Sequence, residues 1–347
     1  MNIKLKAVAA ASAIGVLALT SCAASGNAGS SADTISVVGY SVLEAANKPV
    51  FEDFEKTDEG KDVAFQTSYG ASGDQSRAVV SNLEADVVHF SLETDITRLV
   101  DEGIVAKDWK DNETKGIATS SVVAFVVRKG NPDNIQTWDD IVKPGVEIIT
   151  PNPGSSGSAR WNILAGWAHV AGNGGTEAEA KAYLTKLLNN TIALPSSGRD
   201  ATTSFTEGNG DVLLSYENEA ILAKQNGADV DYVVPPDTLL IENPAAVTED
   251  ASATAQDFLA FLTGPEAQAD YAQSGFRPVV DGVEVDEVEG ANDPSDPFPT
   301  PEKLFTIDDD FGGWSEAADK FFADGEDGGQ VGIVPQLQQD TGKVGEE

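Results

Sequence analysis

The chain has 347 residues, 41% of them apolar and 23% charged, which is ordinary for a soluble globular protein and enough for two lobes with cores of their own. Asp and Glu number 57 against 22 Lys and Arg, a net charge of -35, which excludes long-range attraction to nucleic acid or to anionic lipid. One cysteine and two histidines exclude an intramolecular disulfide and leave little material for a metal centre or a nucleophilic enzyme, so no cofactor is expected.

The N-terminus has the layout of a secretory signal. Lys4 and Lys6 precede a mostly apolar stretch, Ala7 to Leu19, that is too short to span a bilayer. It ends in Leu19-Thr20-Ser21-Cys22, which resembles the bacterial lipobox. That resemblance implies a signal peptide over residues 1–21 and Cys22 as the acylated first residue of the mature chain; the other reading is a soluble signal with an incidental cysteine. Removing residues 1–21 takes away two lysines and no acids, which leaves -37. Residues 22–33, rich in Ser, Gly and Ala, read as a flexible tether from lipid to fold.

From Thr34 one pattern recurs: an apolar strand, a short Ser/Gly loop, an amphipathic helix. Ile35 to Val38 leads to a helix ending near Lys56, Val63 to Gln66 to one ending near Leu83, and Val87 to Phe90 to one over Glu93 to Asp101. The continuous apolar run Val122 to Val127 reads as a buried strand that carries the chain from one lobe to the other. Val146 to Ile149, Thr191 to Leu194 and Val212 to Leu214 repeat the theme, each before a helix, with one further helix over Thr176 to Asn189. A second crossing is expected near Val233 to Ile241, followed by helices over Gln256 to Leu262 and Pro265 to Gln273. Alternating strands and helices predict an α/β fold of two lobes, with parallel-rich sheets flanked by helices. Lobe I takes residues 34–120 and 238–324, and lobe II takes 121–237. Residues 325–347 read as an acidic, disordered tail.

Three loops share one design: Ser68 to Gly73, Pro153 to Ser158, and Ser196 to Gly198. Each follows a strand and opens a helix. Ligands of open α/β sheets sit outside the carboxyl ends of the strands. The first N–H groups of a helix lack partners, its dipole end is positive, and small residues let those donors approach a ligand. Three such termini converging would bind an anion without a cationic side chain. Each serine, taken alone, equally well caps only its own helix.

The run Ser68-Tyr69-Gly70-Ala71-Ser72-Gly73-Asp74-Gln75 resembles the first-lobe signature of the sulfate- and thiosulfate-binding proteins of bacterial ABC importers. So does Asn152-Pro153-Gly154-Ser155-Ser156-Gly157-Ser158-Ala159-Arg160-Trp161, and Glu217-Asn218-Glu219-Ala220 and Phe311-Gly312-Gly313-Trp314 follow in order. The resemblance spans about Thr34 to Ala323. It implies a periplasmic-binding-protein-like fold that holds a dehydrated sulfate ion between two lobes. It also implies a monomeric receptor on the outer face of the cytoplasmic membrane that delivers sulfate to membrane permease subunits. By the same resemblance, the Ser72 hydroxyl donates from the first lobe, and Ser156, Gly157 and Ser158 supply hydroxyl and backbone N–H groups from the second. Gly198 stands where the family uses a backbone N–H. Tyr216 stands where a tryptophan donates, and Ser41 where an aspartate lies.

These departures bear on the ligand. A tyrosine hydroxyl donates or accepts, whereas an indole only donates. Sulfate wants donors only; hydrogen phosphate also wants an acceptor, and losing an aspartate at Ser41 removes one. Thiosulfate, molybdate and phosphate remain alternative ligands, and an anion sensor or an anion-activated enzyme an alternative role. Several other polar or bulky residues have structural explanations. His89 and His169 lack ligand-like neighbours and read as packed or surface residues. Glu217 and Glu219 complement a helix start, Arg160 and Arg199 read as ion-pair partners, and Trp161 and Trp167 read as core.

Overall fold

The computed structural model describes residues 33–325 and 329–345. The signal segment, Cys22 and the tether up to residue 32 lie outside the described residues.

The first half lays down strand–helix units: β1 (Thr34–Tyr40), α1 (Leu43–Phe54), β2 (Ala64–Gly70), α2 (Ser72–Val80), β3 (Val87–His89) and α3 (Glu93–Asp101). β1 pairs parallel with both β2 and β3, as right-handed βαβ crossovers require. The long strand β4 (Ile117–Arg128) then enters the second half. There follow α4 (Trp138–Ile141), β5 (Ile148–Ile149), α5 (Gly157–Ala171), α6 (Glu177–Asn190), β6 (Thr191–Ala193), α7 (Gly198–Thr206), β7 (Val212–Tyr216), α8 (Glu217–Gln225) and β8 (Val230–Val233). A second long strand, β9 (Asp237–Val247), returns, and α9 (Ala253–Leu262), α10 (Pro265–Gln273), β10 (Lys303–Phe305), α11 (Ile307–Phe311), α12 (Trp314–Phe322) and α13 (Ile333–Thr341) complete the described chain.

Among the described residues the sheet runs β2-β1-β3-β9-β4-β7-β5-β6, with β8 beside β4 and β10 beside β9. The short strands of each half pair parallel, while the two long strands pair antiparallel with each other. β4 divides its pairing: Ile117 to Val122 face β9, and Val123 to Val127 face β7. Its side chains alternate between two cores, as a strand's must. Val123, Phe125 and Val127 belong to the largest apolar cluster; Ala124 and Val126 belong to a second, with Phe205 and Ile221. Both faces are therefore covered, which explains the unbroken apolar run. Phe125 is fully buried and meets Trp138 edge-on at 4.9 Å, so its truncation to alanine would cost about 3–5 kcal/mol. Trp161 and Trp167 are core residues, as expected.

Three expectations need correction. The Ser68 to Gly73 segment is hardly a loop, because β2 keeps register with β1 through Gly39–Tyr69 and Tyr40–Gly70 and α2 begins at Ser72, leaving Ala71 alone between them. The strand expected near Val233 to Ile241 is two, since β8 ends at Val233 and β9 begins at Asp237. The tail contains α13, which buries Ile333 and Val334 and packs on α6 and α12, so burial of apolar side chains overrides its polar composition.

Candidate anion-binding site

Every candidate ligand residue lies at a strand-to-helix junction. Ser72 is the first residue of α2, Gly157 and Ser158 open α5 behind the N-cap Ser156, Gly198 opens α7, and Tyr216 is the N-cap of α8. Ser41 lies between β1 and α1. Tight junctions follow from parallel α/β topology, where each strand must hand over at its carboxyl end.

The junctions meet. Ser91, just past β3, is the point of convergence. Its amide donates to Ser72 Oγ (2.9 Å), and its hydroxyl pairs with the Tyr216 hydroxyl (2.7 Å). Its side chain lies so close to Gly157 that a Cβ there would fall 2.3 Å from Ser91 Oγ. Gly198 approaches Ser158 and Val42, its Cβ position being 3.4 Å from Ser158 Oγ and 3.6 Å from Val42 Cγ2. Arg199 Nη2 donates to the Val42 carbonyl at 3.3 Å, which draws the residues next to Ser41 into the same cluster. These contacts connect Ser72, Gly157 and Tyr216 through Ser91 and Gly198 with Ser158, while Ser41 and Ser156 adjoin them in the chain. Ser91 and Asp95 were missed, because Phe90-Ser91-Leu92 has no run of small residues; its place between a strand and a helix was the available signal.

Several donors are already committed. The Ser72 hydroxyl donates to Asp95 Oδ2 (2.6 Å), and the Ser72 amide lies in the first turn of α2, where no intrahelical partner is available. The Ser41 amide donates to the Gly70 carbonyl (2.7 Å), which leaves its hydroxyl. Ser156 does not cap α5 with its side chain. Tyr216 is fully buried, and burial pushes its phenol well above the usual range, so it stays a neutral hydroxyl.

The charges around the cluster are compensated. Asp95 pairs with Arg98 (3.0 Å), Glu217 with Arg277 (2.8 Å) and Glu219 with Arg199 (2.9 Å). Burial raises the pKa of both glutamates, and the arginines oppose that rise. The dipole-complementing role expected for the two glutamates is therefore joined by buried ion pairing, and Arg199 is the ion-pair partner expected. Arg160 differs: its Nε donates to the Pro153 carbonyl (3.1 Å), and its guanidinium lies 4.8 Å over the Phe322 ring. First-turn acids accompany α1 (Glu44), α2 (Asp74), α7 (Asp200) and α8 (Glu217 and Glu219), whereas α5 has none. The positive end of α5, the longest of these helices, is left uncompensated for an incoming anion.

His89 is buried and pushed down to about 3 by desolvation, and its Nε2 meets Thr119 Oγ1 at 3.1 Å; it is a neutral packed residue. His169 pairs with Asp237 across 2.7 Å and stacks near Trp138. Among the described residues, no His, Cys, Asp and Glu side chains are grouped to hold a metal ion.

The sequence profile of the bacterial extracellular solute-binding proteins matches residues 35–277. The chain belongs to that family. A sulfate-binding protein of Synechococcus elongatus is 42% identical over 304 residues, covering 84% of each chain. A thiosulfate-binding protein of Pseudomonas aeruginosa is 34% identical, covering 86% of this chain and 92% of its own. Among solved structures, the sulfate-binding protein SubI from Mycobacterium tuberculosis H37Rv matches with a TM-score of 0.79 and 45% identity, over 84% of this chain and all of that one. The periplasmic binding protein AfuA from Actinobacillus pleuropneumoniae, at 18% identity and a TM-score of 0.66, shares the fold. These relatives are solute-binding proteins rather than enzymes, and the family is extracytoplasmic.

Proposed function

We propose that this solute-binding protein is a sulfate receptor that delivers the ion to an ABC importer. The observation that carries the reading is the convergence of the amino ends of α2, α5, α7 and α8 on one buried cluster, with α5 free of first-turn carboxylates. A fully ionised dianion wants donors only. The amides of Ser72, Gly157, Ser158 and Gly198, with the hydroxyls of Ser41, Ser156, Ser158 and Tyr216, are such a set. Hydrogen bonds to a charged acceptor contribute about 1.5–3 kcal/mol each, so several of them offset the loss of water from the anion. Relatives named as sulfate-binding proteins support this choice of ligand.

In this reading, lobe I (residues 34–120 and 238–324) and lobe II (121–237) hinge on β4 and β9 and close over the ion. Cys22 carries the lipid that keeps the receptor beside the permease, and the protein acts as a monomer. The net charge of -37 left once residues 1–21 are removed repels a dianion at long range, so local dipoles rather than the overall field capture it.

Calorimetric titration of the protein with Cys22 replaced tests the reading. The expected result is one-to-one, micromolar or tighter sulfate binding, with phosphate silent. A response to thiosulfate or molybdate alone would reassign the ligand, and silence towards all of them would refute the receptor role.

A further inference from the structure

We propose that Ser91 is an additional anion-recognition residue, acting with Tyr216 as a two-hydroxyl donor pair. The inference rests on the sulfate reading and adds to it a residue outside the expected ligand set.

Three observations place Ser91 at the centre of the cluster. Its amide bonds to Ser72 Oγ, its hydroxyl bonds to Tyr216, and its side chain fills the space that a Cβ on Gly157 would need. Its carbonyl accepts from Trp161 Nε1 of α5 (3.0 Å) and from Asn243 Nδ2 of β9 (3.1 Å). The backbone of Ser91 is therefore fixed on both sides by bonds that do not involve its hydroxyl. Ser91 is 1% exposed, and burying a hydroxyl is costly unless its proton and lone pairs are used.

The proton count defines the role. Two hydroxyls 2.7 Å apart carry two protons, and one lies between them. If Ser91 donates to Tyr216, the phenol proton is left over; if Tyr216 donates to Ser91, the serine proton is left over. Either way the pair offers one donor. On the Asn243 side both lone pairs of Oδ1 are engaged, by the Tyr40 hydroxyl at 2.9 Å and the Thr119 hydroxyl at 3.4 Å. The leftover proton is directed to the anion at the amino end of α5. This pair supplies the single donor that the sequence resemblance assigns to a tryptophan at position 216.

The test compares Ser91→Ala, Tyr216→Phe and the double variant by calorimetric titration with sulfate, with unliganded melting as a check on folding. Ser91→Ala removes one atom and keeps both backbone bonds, so it should melt close to the unsubstituted protein. Each single variant keeps one hydroxyl and its proton but loses the partner that orients it, so each should bind sulfate about threefold more weakly or worse, and the double variant, which loses the donor itself, should be the weakest, by about tenfold or more. An affinity for Ser91→Ala within about twofold of the unsubstituted protein, or a double variant no weaker than Tyr216→Phe, would overturn the inference. Absence of sulfate binding by the unsubstituted protein would instead remove the sulfate reading, and this inference with it.

Discussion

The Gly73 amide donates to the Ser155 carbonyl across 3.1 Å, which ties the first turn of α2 to the loop that opens α5. These segments follow β2 and β5, on opposite sides of the two long strands in the sheet. Trp161 Nε1 bonding to the Ser91 carbonyl, and Arg199 to the Val42 carbonyl, make the same kind of bridge. All three contacts end on backbone carbonyls of residues at strand-to-helix junctions.

Gly157 and Gly198 should respond differently to alanine. A Cβ at 157 would fall 2.3 Å from Ser91 Oγ and 2.9 Å from Leu92 Cγ, whereas one at 198 would make ordinary contacts at 3.4 Å with Ser158. Gly157→Ala should abolish measurable sulfate binding by forcing the junctions apart. Gly198→Ala keeps its amide and its space, so it should retain binding within about tenfold. Titration calorimetry on the two variants checks this.

The Glu217–Arg277 pair is almost wholly buried, and Arg277 also donates to the Phe298 and Pro299 carbonyls. Arg277→Met should cost about 3–5 kcal/mol in urea unfolding, because it strands a buried carboxylate. Adding Glu217→Gln should recover part of that loss.

Asp270 is pushed up to about 6, first by burial and then by neighbouring Asp53, with Lys56 opposing. The folded state holds this proton more tightly than the unfolded chain, so the charged form opposes folding as pH rises through that range. Asp270→Asn should therefore melt higher than the unsubstituted protein near about pH 8, and the difference should vanish below about pH 4. Melting curves at the two pH values decide it.

α13 holds Ile333 and Val334 against the body. Burial of such side chains contributes about 1.5–3 kcal/mol each, so a chain ending after Ala323 should melt several degrees lower. It should still bind sulfate, because the hydrogen bonds of the described tail residues run within the tail and to Ala323, not to the seven candidate ligands. Melting and titration of the truncated chain test both statements.

Much of this was legible in the sequence because small residues at strand ends do one physical job. The runs at Ser156 to Ser158 and Ser196 to Gly198 mark the starts of α5 and α7, and helices such as Glu93 to Asp101 and Pro265 to Gln273 fall where periodicity puts them. The bond from the Ser72 hydroxyl to Asp95 was not legible, since Asp95 lies 23 residues away and only the fold brings the two together. Ser91 was passed over because its segment has no run of small residues, although it lies between a strand and a helix. The tail was misread from its polar composition, although Ile333, Val334 and Leu337 have helical spacing.

A crystal structure of the sulfate complex tests the central claim most directly. The account predicts one ion within about 3 Å of the amides of Ser72, Gly157 and Gly198, at the amino ends of α2, α5 and α7 and with no arginine in contact. An ion held by guanidinium groups, or seated away from those helix ends, would contradict it.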